Sequence, residues 1–99
     1  MEPVKIFVLN IDQETLEKAL NFLKSKSFEA DGTIEPENAL QAFQQKNYDM
    51  VVFGGGISGK TREMLKKEFM HMRPEVEFIE HLSHPSEMYE EIMDAFKGY

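Results

Sequence analysis

The stretch GGGISGKT, at positions 54–61, is the part of this chain whose residue types and spacing come closest to a known chemistry. It reads G-x-x-x-x-G-K-T, it follows an apolar run, and a helical pattern follows it. That is the pattern of a phosphate-cradling P-loop. In such a loop the backbone N–H groups from Gly55 to Lys60 point at an anion. Lys60 meets the outer phosphates and Thr61 holds Mg²⁺. Three features oppose nucleotide hydrolysis. The chain has 99 residues, short for such an enzyme. The motif follows the third apparent strand instead of opening the sheet. The only candidates for a second Mg²⁺ carboxylate are Glu80 in FIEH and Asp12 in LNID. The favoured reading is a tight strand-to-helix connection, where glycine supplies positive φ and close backbone approach. Capture of a small anion stands as the alternative.

Other reactive residues are sparse. There is no cysteine, so disulfides, thiolate metal sites and cysteine nucleophiles are excluded. His71, His81 and His84 fall on different elements, and their spacing does not bring them together, so each reads as a surface histidine. No serine, histidine and carboxylate pattern has a local catalytic signature. The chain is expected to have no enzyme activity and no bound metal.

These residues need elements to hold them. Ile6 to Ile11 (IFVLNI) is a continuous apolar run with β-branched members, as in a strand buried on both faces. Asp12 stands at a helix N-cap, and Leu16, Ala19, Leu20 and Leu23 follow at helical spacing. FEADGTI is a weak strand suited to a sheet edge. Pro36 opens a second helix, with Ala39, Leu40 and Phe43 inward, closed by Lys46 and Asn47. DMVVF is the second strongly buried strand. A third helix from about Lys60 to Met72 turns Leu65, Phe69 and Met72 inward, and Pro74 ends it. VEFIEH is a second edge strand. A turn over Ser83 to Ser86 and a last helix over about Glu87 to Lys97, with Gly98 as its cap, complete the chain.

Strands alternating with helices imply right-handed β-α-β units and a doubly wound parallel sheet with helices on both faces. The first and third strands are the most apolar, which places them centrally in the order 2-1-3-4. This is an α/β, flavodoxin-like arrangement of one domain over positions 1–99. In that order the loops after strands one and three flank the topological switch point, where open α/β sheets bind ligands. The candidate anion-binding set is therefore Asn10 and Asp12 with Gly54, Gly55, Gly56, Ser58, Gly59, Lys60 and Thr61. The crevice has no pair of aromatic residues to sandwich a flavin, and IDQETLE lacks the histidine of cobalamin-binding domains. No cofactor is expected.

From about Lys5 to Phe53 the chain resembles the CheY-like receiver domains of two-component response regulators. KIFVLNID is similar to the receiver's first strand and its acidic end. ENAL and YDMVVF are the most family-like pieces. The resemblance implies a signalling domain, and the departures from it are specific. Receivers hold Mg²⁺ with two adjacent acidic residues after the first strand, and here those positions are Asn10 and Ile11, with Asp12 next. The phosphoacceptor aspartate ends the third strand, and here that place is Gly54. Ser83 is the nearest counterpart of the hydroxyl after the fourth strand. The lysine that ends the fifth strand has no counterpart. Mg²⁺ needs neighbouring carboxylate oxygens, and phosphotransfer needs the accepting carboxylate. The resemblance thus implies a degenerate receiver that works without aspartyl phosphorylation.

Charge and exposed methionines bear on partners. The formal net charge of −7 opposes nucleic-acid binding. No apolar run is long enough to span a bilayer, and the N-terminus lacks the basic lead-in of a signal peptide, so a cytoplasmic protein is expected. Positions 60–73 carry five basic and two acidic residues, whereas positions 75–94 carry seven acidic residues and no lysine or arginine; two solvated faces of opposite bias is the favoured reading, and a pair of complementary patches for self-association or docking is the alternative. Met64, Met70, Met72, Met88 and Met93 crowd the last third, and core filler is the favoured reading of methionines at helical spacing; those that cannot face the sheet, such as Met64, Met70 and Met88, suit an adaptable contact surface. A protein partner or a homodimer built on the fourth strand and its adjoining helices is the expectation.

Overall fold

The computed structural model describes residues 4–54 and 56–80. The elements are β1 (Lys5–Leu9), α1 (Gln13–Ser25), β2 (Glu29–Thr33), α2 (Pro36–Gln44), β3 (Met50–Phe53), α3 (Gly59–Met72) and β4 (Glu77–Glu80). They form a four-stranded sheet in the order β2-β1-β3-β4, with every pairing parallel. The doubly wound order expected from the two most apolar runs is the order observed. The expected last helix, Gly98, the turn over Ser83 to Ser86, His81, His84 and Met88 lie outside the described residues.

The alternating side chains of β1 explain why helices sit on both faces. Ile6 and Val8 pack with Met50 and Val52 against Leu16, Ala19 and Leu23 of α1. Phe7 and Leu9 point the other way, with Val51 and Phe53, onto Ala39 and Phe43 of α2 and Leu65 and Phe69 of α3. The second layer is aromatic. Phe43 and Phe69 lie 4.6 Å apart, centroid to centroid, and Phe7 meets Tyr48 edge-on at 5.3 Å. Burying one such ring stabilises by about 1.5–3 kcal/mol. An exposed ion pair contributes roughly 0–1 kcal/mol. The two apolar layers therefore hold the sheet, and the surface charges trim it.

Polar contacts fix the ends. Asp49, just before β3, accepts the Lys5 amide at 2.9 Å and a contact from the Arg73 guanidinium at 3.3 Å. That carboxylate ties the start of β1 and the end of α3 to the same end of the sheet. Asp31 on the edge strand β2 accepts from Tyr48 Oη at 2.9 Å and Lys46 Nζ at 3.0 Å. Burial pushes the Tyr48 hydroxyl pKa upward, and its bond to Asp31 adds to that shift.

Two readings from the sequence change. Met72, expected inward, is 38% exposed. It is the last residue of α3, next to Arg73, whose guanidinium reaches Asp49, and a helix end has fewer neighbours to cover its side chains. The first strand, expected to run to Ile11, stops at Leu9. Asn10 Oδ1 there accepts the Asp12 amide at 2.9 Å and turns the chain out of the ladder. Met64 and Met70 are exposed, as expected.

The end of α1 stores strain. The Phe28 amide donates to Leu23 O and the Ser27 amide to Lys24 O, each at 3.1 Å, which is the Schellman arrangement. It puts Ser27 at φ 71°, where glycine is preferred. Ser27→Gly is expected to stabilise the protein by about 0.5–1 kcal/mol. Thermal unfolding followed by circular dichroism should show a rise of roughly 2–8 °C.

Candidate functional site

Register decides what meets at the carboxyl ends of the strands. Leu9 pairs with Phe53, so Asn10 and Gly54 leave the sheet side by side. The Gly54 amide donates to Leu9 O at 2.8 Å, and the Asn10 amide donates to Thr33 O at 3.2 Å. The two loops flanking the switch point are thus bonded together at their base.

The side chains fill this base. Asn10 is 8% exposed, and it is the one buried polar residue among those described. A Cβ at Gly54 would lie 2.2 Å from Asn10 Nδ2, 2.7 Å from Cγ and 3.0 Å from Cβ. The place for a side chain at position 54 is therefore occupied by the Asn10 amide. One step outward, Gly56 has φ 88° and lies under Ile11, whose Cδ1 would be 2.6 Å from an added Cβ. Ile11 is itself 48% exposed, so an apolar side chain lies at the mouth of the crevice.

Ile57 and Ser58 hold the next part of the loop. Ile57 is 8% exposed and belongs to the core layer with Phe53, Leu65 and Phe69. It pulls the middle of the loop down onto the sheet. Ser58 is the N-cap of α3: its Oγ accepts the Thr61 amide at 3.2 Å and bonds Thr61 Oγ1 at 2.9 Å. Gly59 and Lys60 form the first helical positions, and both are exposed. Gly55 lies outside the described residues.

The carboxylates considered for Mg²⁺ are engaged elsewhere. Asp12 caps α1, accepting the Thr15 amide at 2.9 Å and the Thr15 hydroxyl. Glu80, at the end of β4, faces α3, with Arg62 Nε at 3.0 Å and Lys66 Nζ at 3.3 Å. The Arg62 contact is an ion pair whose geometry misses a hydrogen bond. Lys66 also lies 5.6 Å from the centre of the Phe78 ring. His71 is on the exposed face of α3, and among the described residues no three histidines or carboxylates gather into a metal site.

The structure thus brings Asn10, Gly54, Ile11 and Gly56 together and gives Asp12, Ser58 and Thr61 capping work. Sequence reasoning missed Ile57 as the loop's anchor and Ile11 as its cover. The isoleucine inside a glycine-rich loop was the available signal for the first. Nothing local marked the second.

The sheet is parallel in the order 2-1-3-4, with α1 on one face and α2 and α3 on the other. A two-component transcriptional regulator AraC from Clostridium phytofermentans matches over 95% of this chain and 92% of its own, with TM-score 0.77 and 13% identity. A CheY-like response regulator receiver domain protein from Methanospirillum hungatei covers 94% and 93%, with TM-score 0.75 and 14% identity. The fold is that of a CheY-like receiver. The Thermotoga maritima response regulator TrrA, solved in complex with Mg²⁺–BeF, shares the receiver fold at TM-score 0.67 and 21% identity, covering 94% of this chain and 99% of that one. No family model matches the sequence, and no curated protein matches it. No helix among the described residues is long and apolar enough to cross a membrane.

The Asp12 cap gives a pH test. Hydrogen bonds from the Thr15 hydroxyl and then the Thr15 amide hold its pKa below the usual carboxylate value. A depressed carboxylate stabilises the fold above its unfolded pKa of about 3.9, and that contribution is lost as pH falls through the lower folded value. Carboxyl-detected NMR titration should place Asp12 below an unstructured aspartate. Asp12→Ala should remove the dependence on pH that this cap contributes below about pH 4.

Proposed function

We propose that this domain is a pseudo-receiver: a non-enzymatic signalling or protein-interaction module that works by binding, without aspartyl phosphorylation. One observation carries the reading. At the end of the third strand, where a receiver keeps its phosphoacceptor, stands Gly54, and the Asn10 amide takes the space its side chain would need. Ile11 and Asn10 stand where the resemblance places the Mg²⁺ carboxylates. TrrA was solved with Mg²⁺–BeF. This chain offers no carboxylate at position 54 to join a phosphoryl group or its mimic.

Oxyanion capture at the start of α3 is the second reading. The exposed Gly59 and Lys60 positions favour it, because the first amides of a helix lack intrahelical acceptors. One experiment separates the readings. Incubation with acetyl phosphate and Mg²⁺ is expected to leave the intact mass unchanged, and phosphorylation of the chain would overturn the pseudo-receiver. Inorganic phosphate at millimolar concentration is expected to leave the Gly59, Lys60 and Thr61 amide shifts in place. A saturable shift there would establish the second reading.

The contact surface we propose is the β4 side of the sheet. Among the described residues β4 pairs only with β3, and the basic surface of α3 lies beside it. A homodimer or partner protein would dock on β4 and its adjoining helices, with the acidic surplus of positions 75–94 set against the basic 60–73 segment. Sedimentation at tens of micromolar is expected to give a dimer mass that falls toward monomer as salt is raised. A monomer at every salt concentration refutes self-association.

A further inference from the structure

The contact between Asn10 and Gly54 has a consequence for how the crevice behaves. Three bonds converge on it: Gly54 amide to Leu9 O, Asn10 amide to Thr33 O, and Asp12 amide to Asn10 Oδ1 at 2.9 Å. The side chain that accepts the last bond lies in the void at position 54. A buried amide holding one bond and filling one void cannot leave without losing both. Above it, Ile11 covers the one described glycine with positive φ, so the outer part of each loop also rests on the other.

We infer that Asn10 and Gly54 form a lock that holds the β1–α1 turn against the end of β3, so that the crevice surface at Asn10, Ile11, Gly54 and Gly56 is constitutive and not switched. The functional half of this inference rests on the pseudo-receiver reading; the contact itself does not. Asparagine at position 10 is then a positioning residue. It sets the β1–α1 turn through the Asp12 amide, and glycine at 54 is what admits it. The lock acts at the crevice alone. Ser58, Thr61 and Ile57 hold α3 independently of it.

Hydrogen exchange at the Asp12 amide reads the lock directly. In Gly54→Ala the new methyl displaces the Asn10 side chain, Asp12 loses its acceptor, and its exchange is expected to speed up by about tenfold. Asn10→Ala should give a similar rise by deleting the acceptor, and the double variant should add nothing to it. Unchanged Asp12 protection in a folded Gly54→Ala protein overturns the lock. Relaxation dispersion supplies an arm that needs no substitution at 54. The wild-type amides at 10–12, 53, 54 and 56–58 should show flat profiles, and Asn10→Ala should introduce microsecond-to-millisecond exchange at these positions. Dispersion in the wild type, or none in folded Asn10→Ala, refutes a single locked arrangement. Either failure leaves the pseudo-receiver standing, because that reading falls only if acetyl phosphate labels the chain.

Discussion

The parallel pairing of β1 with β3 is the constraint on which everything else depends. Both strands are buried on both faces, so neither can slip by one residue without exchanging its two sets of side chains between layers. Ile6 and Val8 would then meet the aromatic layer, and Phe7 and Leu9 would meet α1. The cost of that exchange fixes Leu9 opposite Phe53. Once this register is set, Asn10 and Gly54 emerge as neighbours, and the first atoms beyond the sheet belong to the crevice.

The crevice stands where open α/β sheets bind ligands, and its polar side chains bond to nearby backbone and side-chain groups. The loops after the central strands still flank the switch point. Their polar atoms are bonded to one another: Asp12 to Thr15, Ser58 to Thr61, and Asn10 to the Asp12 amide. Glu80 is drawn sideways to Arg62 and Lys66. A capping carboxylate has part of its acceptor capacity taken by its own helix, which weakens it as a metal ligand. The locally bonded crevice and the receiver fold are the two observations behind the proposed pseudo-receiver.

Much of the fold was legible because its signals are local or nearly so. The stripe of Leu16, Ala19 and Leu23 defined a helix and its inner face. Pro36, the capping Asp12 and the apolar MVVF run each marked an element by the conformations their side chains allow or forbid. Met72 was misread because helical spacing says which face a residue occupies but not how well the end of the helix is covered. The Asp31–Tyr48 and Asp49–Arg73 contacts were not legible either, since each joins residues 17 or 24 positions apart.

GGGISGKT divides along the same line. The sequence alone determined a glycine-rich connection between a buried strand and a helix, with no acidic residue at the strand's end. Only the tertiary structure decided that Ile57 is buried, that Ile11 covers Gly56, and that Asn10 fills the space at Gly54. Those contacts join side chains to backbone across the sheet, and their existence depends on a register that no short segment contains. The reach of a side chain is a few ångströms, so its meaning is set by whatever the fold brings within that distance.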